Sequence, residues 1–157
     1  MTARKICRVL VGTSLLLLTA ACGSDSHSGP PTIHYGQDAC ADCGMIISEE
    51  RFASAIVMAD SEEAPLLFDD VGCMISYEHQ HSIPHAKRYF HDAATHQWLR
   101  EKEAHLIKSA RPTPMGSGIV AFATPSSAQT YDNKNSAPTV HTYEQLLAAK
   151  PKSVDSD

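Results

Sequence analysis

The apolar positions between residues 50 and 149 fall in short blocks separated by polar, turn-forming residues. Residues 52–58 (Phe-Ala-Ser-Ala-Ile-Val-Met) make a run of strand length. The acidic turn Asp60-Ser61-Glu62-Glu63 joins it to a second strand at 65–68. Asp69 or Asp70 then caps a helix predicted over 71–78, because either carboxylate can accept from the first free amides. Short strand candidates follow at 86–90, 97–100 and 105–108. A further strand at 118–123 leads into Thr124-Pro125, an N-cap and a first helical position, which open a helix over 126–131. Residues 143–149 read as a last short helix. Hairpins mixed with short helices predict an α+β fold with antiparallel sheet.

Two of these blocks share one grammar. Phe68-Asp69-Asp70 leads to Tyr77 with the same spacing by which Phe122-Ala123-Thr124 leads to Tyr131. Each reads strand, cap, helix, so an imperfect internal repeat is expected. Met58, on an apolar strand, belongs to the core.

The flanks follow a different pattern. Arg4, Lys5 and Arg8 precede an apolar run over 9–18, and Thr19-Ala20-Ala21 leads to Cys22. Basic, apolar and small-residue regions in that order read as a secretory signal over 1–21. The run is shorter than the roughly 20 residues a membrane-spanning helix needs. The Cys after small residues resembles a bacterial lipoprotein signal cut before a lipidated Cys22. Thr19 departs from that pattern, which usually has Leu there. Gly23 after Cys22 implies outer-membrane retention, and the acyl chains on Cys22 would supply a stable anchor. Residues 22–37, rich in Ser, Gly and Pro, read as a flexible tether, and 150–157 as a disordered tail. One domain of 38–149 lies between, with two small repeats meeting near 92–110.

Three of the thirteen basic residues and none of the eighteen acidic ones lie in 1–21. Residues 22–157 therefore hold ten basic against eighteen acidic residues, a formal charge of −8. That balance argues against nucleic-acid binding. It suits an extracytoplasmic surface that attracts cations.

The chemistry concentrates in Cys40-Ala41-Asp42-Cys43-Gly44-Met45. Two thiols and a thioether are the soft donors that select Cu(I) over hard cations. A Cys-x-x-Cys pair alone also fits a disulfide, a redox pair or half of a zinc site. A zinc ribbon would need a second pair, and Cys73 is alone. The polar residues before Cys40 are not the buried strand that precedes a thioredoxin-like pair. With Cys7 in the signal and Cys22 lipidated, Cys40, Cys43 and Cys73 remain, an odd number that a metal explains better than disulfides. Met115 lies in the turn-rich Pro114-Met115-Gly116-Ser117-Gly118, where a core anchor is out of place, so it can reach a metal from across the fold. Met74, on the predicted helix, suits packing or a supporting position. His79, His81 and His85 could bind Cu(II) or zinc, although a solvated helix end explains them more simply. No Ser-His-Asp set, paired-carboxylate site or phosphate-cradling glycine loop stands out.

Three motifs in order, Cys40-x-x-Cys43-Gly44-Met45, Phe68-Asp69-Asp70-Val71-Gly72-Cys73-Met74-x-x-Tyr77 and Met115-Gly116-x-x-x-x-Ala121-Phe122, follow the lipoprotein start. Together they resemble the NosL family of nitrous oxide reductase accessory lipoproteins. The resemblance covers about residues 40–131. It implies two small related ββαβ-like units, a fold also found in organomercurial lyases. It implies a periplasmic chaperone that binds one Cu(I). Its partners would be the nitrous oxide reductase apo-protein, whose copper-sulfide cluster it supplies, and a membrane ABC-type maturation complex. Carried onto this chain, it makes Cys43, Met45 and Met115 the leading ligands and Cys40 a further one. It gives Cys73 and Met74 a place behind the ligands or in the packing, and makes Asp69 and Asp70 helix-capping or docking residues. The expected mechanism is ligand exchange from an under-coordinated site, with no bond of a substrate made or broken. The rival readings are a thiol–disulfide oxidoreductase or thiol-dependent lyase using Cys40 and Cys43, and a passive metal-storage lipoprotein using the His patch.

Overall fold

A computed structural model describes residues 29–58, 62–132 and 138–149. The expected signal, Cys22, the first part of the tether, the Asp60-Ser61 turn and the tail lie outside the described residues. Strands β1 (Ser54–Met58) and β2 (Leu66–Phe68) are followed by α1 (Val71–Gln80), β3 (Ala86–His91) and β4 (Trp98–Arg100). Strands β5 (His105–Lys108) and β6 (Ile119–Phe122) are followed by α2 (Pro125–Tyr131), β7 (Val140–His141) and α3 (Tyr143–Ala148). The fold is α+β. One antiparallel sheet has the order β2-β1-β3-β4 and the other β6-β5-β7.

Both halves therefore run strand, strand, helix, strand, with the first strand of each in the middle. Phe68 and Tyr77 of the first unit meet with ring centroids 5.5 Å apart, and Phe122 and Tyr131 of the second with centroids 5.1 Å apart. The shared Phe-to-Tyr spacing thus has a physical meaning: in each unit it lays the helix ring against the ring at the end of the second strand.

Alternation along β5 and β6 joins the units. Leu106, Ile119 and Ala121 face the larger core, with Ile56, Phe68, Val71, Met74, Phe90 and Tyr143. Ile107, Val120 and Phe122 face a smaller one with Phe52 and Ala128. Ala93 N donates to the Ala121 carbonyl at 3.0 Å, and Ala123 N to Asp92 Oδ2 at 3.3 Å, so main chain also bridges the sheets.

Local signals placed most elements. Phe52, expected to begin the first strand, instead ends a short 3-10 turn, Glu50–Phe52. Asp70, not Asp69, caps α1, and Thr124 caps α2. Strand β7 was not expected; two residues carry no periodicity, and its pairing comes from β5. The expected tether does not extend to residue 37. Ile33 is buried in the larger core, Tyr35 Oη lies 3.0 Å from His91 Nε2, and Gly36 N donates to the Ile47 carbonyl at 2.8 Å. Among the described residues no helix is long and apolar enough to cross a membrane.

Candidate metal centre

Residues 38–47 double back on themselves. Ile47 N donates to the Asp38 carbonyl at 2.9 Å and Cys40 N to the Met45 carbonyl at 2.8 Å. Gly44 closes the turn with φ +73°, a conformation that glycine adopts without strain. Ala41 N hooks this ribbon onto β2 by donating to the Leu67 carbonyl at 2.8 Å. The end of β2 leads directly into α1, so the ribbon is held over the first turn of that helix, which carries Cys73.

Three sulfurs converge as a result. The Sγ atoms of Cys40, Cys43 and Cys73 all lie within 4.8 Å of one another, and those of Cys43 and Cys73 are 4.0 Å apart. None is in a disulfide; Cys40 and Cys73 are buried, and Cys43 is exposed at the turn. Among the described residues this trio is the one group of three or more His, Cys, Asp or Glu side chains close enough to hold a metal ion. His79, His81 and His85 do not form such a group. His79 Nε2 lies 2.7 Å from the Leu147 carbonyl, and the His81 ring lies against Tyr77.

The thiols share one negative charge. The Cys73 thiol donates to Cys43 at 4.0 Å and is also within hydrogen-bonding reach of Cys40; its effect on Cys40, with those of the Cys43, Asp69 and Asp42 amides, pulls the Cys40 pKa down to about 5 against the opposing effect of burial. Hydrogen bonding with Cys40 also pushes the Cys73 thiol strongly upward, with burial adding to the effect. Cys43 also moves up, through desolvation first and then through the neighbouring Cys40 sulfur. At neutral pH the trio is one thiolate and two thiols. A soft cation entering it meets a ready anion and displaces protons from the other two.

The methionines divide. Met74 is wholly buried in the core, which leaves it a packing residue. Met45 and Met115 are 57% and 41% exposed, and with Ile46 they are the exposed large hydrophobics among the described residues. Met45 follows the Cys43-Gly44 turn. Met115 comes from the second unit, and its backbone N donates at 3.3 Å to Asp70, the residue that caps the Cys73 helix. Cys73, expected only to support or pack, stands thirty residues from Cys43 in the chain yet shares the cluster. Its place in the first turn after an Asp cap was the available clue. Asp69 is buried and accepts from Ser48 N at 3.3 Å, and burial raises its pKa.

The family model described as NosL matches residues 31–149. The crystal structure of the copper chaperone NosL from Shewanella denitrificans has a similar fold, with a TM-score of 0.61 at 17% identity. The match covers 77% of this chain and 100% of that one. A search of curated proteins found no matching sequence.

Proposed function

This chain belongs to the NosL family, and from that premise we propose that it is a copper chaperone carrying one Cu(I) on the Cys40, Cys43 and Cys73 cluster. The observation that carries the reading is the convergence of three sulfurs within 4.8 Å of one another, with one of them at the surface. Soft sulfur donors favour Cu(I) over hard cations. Two buried sulfurs retain the ion, while exposed Cys43 leaves a side open to a partner. A partner's soft ligands can bind before the first set lets go, because an exposed donor is displaced more readily than the donors of a closed structural site. The ion is cargo, and no covalent bond of a substrate changes.

The finer parts of the reading rest on the family and on the signal at residues 1–21. The receiver is the apo-protein of nitrous oxide reductase, through a membrane ABC-type complex. The carrier is a periplasmic lipoprotein anchored through Cys22, in the outer membrane. A cell lacking the chain should then make nitrous oxide reductase deficient in its copper-sulfide cluster.

The low Cys40 pKa also favours the thiol–disulfide oxidoreductase or lyase reading. Accessibility weakens it. The thiolate is the buried sulfur, whereas exposed Cys43 is the one kept protonated. Nucleophilic exchange needs an accessible thiolate.

Anaerobic titration with Cu(I) against a competing chelator tests the proposal. One tightly held copper is expected, weakened in Cys43→Ala and Cys73→Ala. Insulin reduction or mercury–carbon cleavage without tight copper binding would overturn it. So would binding erased by His79→Ala and His81→Ala but kept in Cys43→Ala.

A further inference from the structure

One buried carboxylate joins the two units beside the thiol cluster. Asp70 Oδ1 accepts from Gly72 N at 2.6 Å and Cys73 N at 3.2 Å. Those two bonds are the ordinary work of an N-cap, which one oxygen can do. Oδ2 faces the other way. It accepts from Thr113 Oγ1 at 2.7 Å and from Met115 N at 3.3 Å. Thr113 Oγ1 accepts in turn from Gly118 N at 3.1 Å, which ties down the far end of the same loop. Asp70 is fully buried and Thr113 nearly so. A buried carboxylate needs its oxygens satisfied, and here uncharged donors from two elements more than forty residues apart share the task.

The loop also comes nearer to the helix than a side chain at position 72 would permit. A Cβ on Gly72 would run into Ser117 Cβ and crowd Asp70 Oδ1. Position 72 therefore has to be glycine for the 113–118 loop to sit on the first turn of α1.

We propose that Asp70 is a positioning residue for the copper site: its second oxygen docks the 113–118 loop on the helix turn that carries Cys73, so that the Met115 thioether joins the metal. This rests on the copper-chaperone reading. The same carboxylate orients the amide of Cys73 and that of Met115, so a ligand from each unit is set by one group. Without the dock, Met115 would stand on an unanchored turn and bind only after paying the ordering entropy of its loop.

Asp70→Asn separates the two roles. Asn remains a good N-cap, but its NH2 cannot accept from Thr113 or Met115. Amide hydrogen exchange on the apo-protein should show the Met115 and Gly118 amides opening about tenfold faster or more, with the α1 amides unchanged. On Cu(I) loading, X-ray absorption should count one sulfur fewer than in the unsubstituted protein. Copper affinity should drop about 10- to 100-fold, the range for supporting residues around a metal. Met115→Leu should cause a similar loss alone and none further on top of Asp70→Asn. Thr113→Val should act in the same direction, and Thr113→Ser should behave as the unsubstituted protein. Unchanged sulfur count and affinity in Asp70→Asn overturn the positioning role, whether or not the loop loosens. So does a full additional loss from Met115→Leu. If the unsubstituted protein binds no Cu(I), the copper reading itself fails and this assignment with it.

Discussion

Replacing Cys73 by Ala should return the Cys40 thiol most of the way to ordinary acidity. In the intact site the Cys40 pKa falls from 9.0 to about 5, and the Cys73 S–H is the largest cause. A fall of that size corresponds to ~5 kcal/mol favouring the thiolate, at about 1.36 kcal/mol for each tenfold change. A thiol with a pKa of about 5 is predominantly thiolate at pH 7, whereas an unperturbed thiol is predominantly protonated there. Ala at 73 deletes the leading donor and leaves the backbone amides opposed by burial, so the titration should move upward. Cys73→Ser keeps a donor and should hold Cys40 low. A pH titration of thiolate ultraviolet absorbance reads this directly. The intact apo-protein should show one thiol ionising near pH 5 and two ionising above neutrality. Because the folded pKa lies below the unfolded one, the associated stability is complete above the unfolded thiol range and is lost as pH falls toward about 5. Copper capture at pH 7 should release about two protons, since one of the three thiols is already ionised. No transition near pH 5 in the intact protein, or the same transition in Cys73→Ala, would refute the shared-proton account.

Three other outcomes follow from the packing. Arg88 reaches Glu78 of α1 and Glu101, while Tyr143 of α3 donates to Glu78, whose side chain is only 4% exposed. Arg88→Met strands that carboxylate and should cost about 3 kcal/mol in a denaturant titration; a loss near zero would show that the ion pair is expendable. Gly44→Ala meets no atom within 4 Å but must hold φ +73°, so it should cost about 1–2 kcal/mol from backbone strain alone. Its urea midpoint should fall with the slope unchanged. Met74→Leu, a volume-conserving change at a fully buried site, should cost less than about 1.5 kcal/mol and leave copper stoichiometry unchanged; a lost copper would make Met74 a ligand.

Legibility in the sequence tracked the range of the forces involved. The Thr124-Pro125 start and the Asp cap of α1 are interactions over a few residues, and they were readable as such. Choosing Asp70 over Asp69 was not, because both can cap; Ser48, from another segment, engages Asp69 and leaves Asp70 to α1. The 38–47 turn was readable as sulfur-rich, while its seat on β2 depends on the Ala41 to Leu67 bond.

By itself, then, the sequence determined most of the elements, the repeat of strand, cap and helix, and the soft-donor chemistry. Local propensities, side-chain period and donor type fix those without reference to distant residues. Only the tertiary structure decided that Cys73 stands with Cys40 and Cys43, that Met74 packs, and that Met115 is fastened to the cap of the Cys73 helix. Those outcomes depend on burying two sheets against a common core. That burial sets where residues thirty or more positions apart come to rest, and no local pattern encodes it.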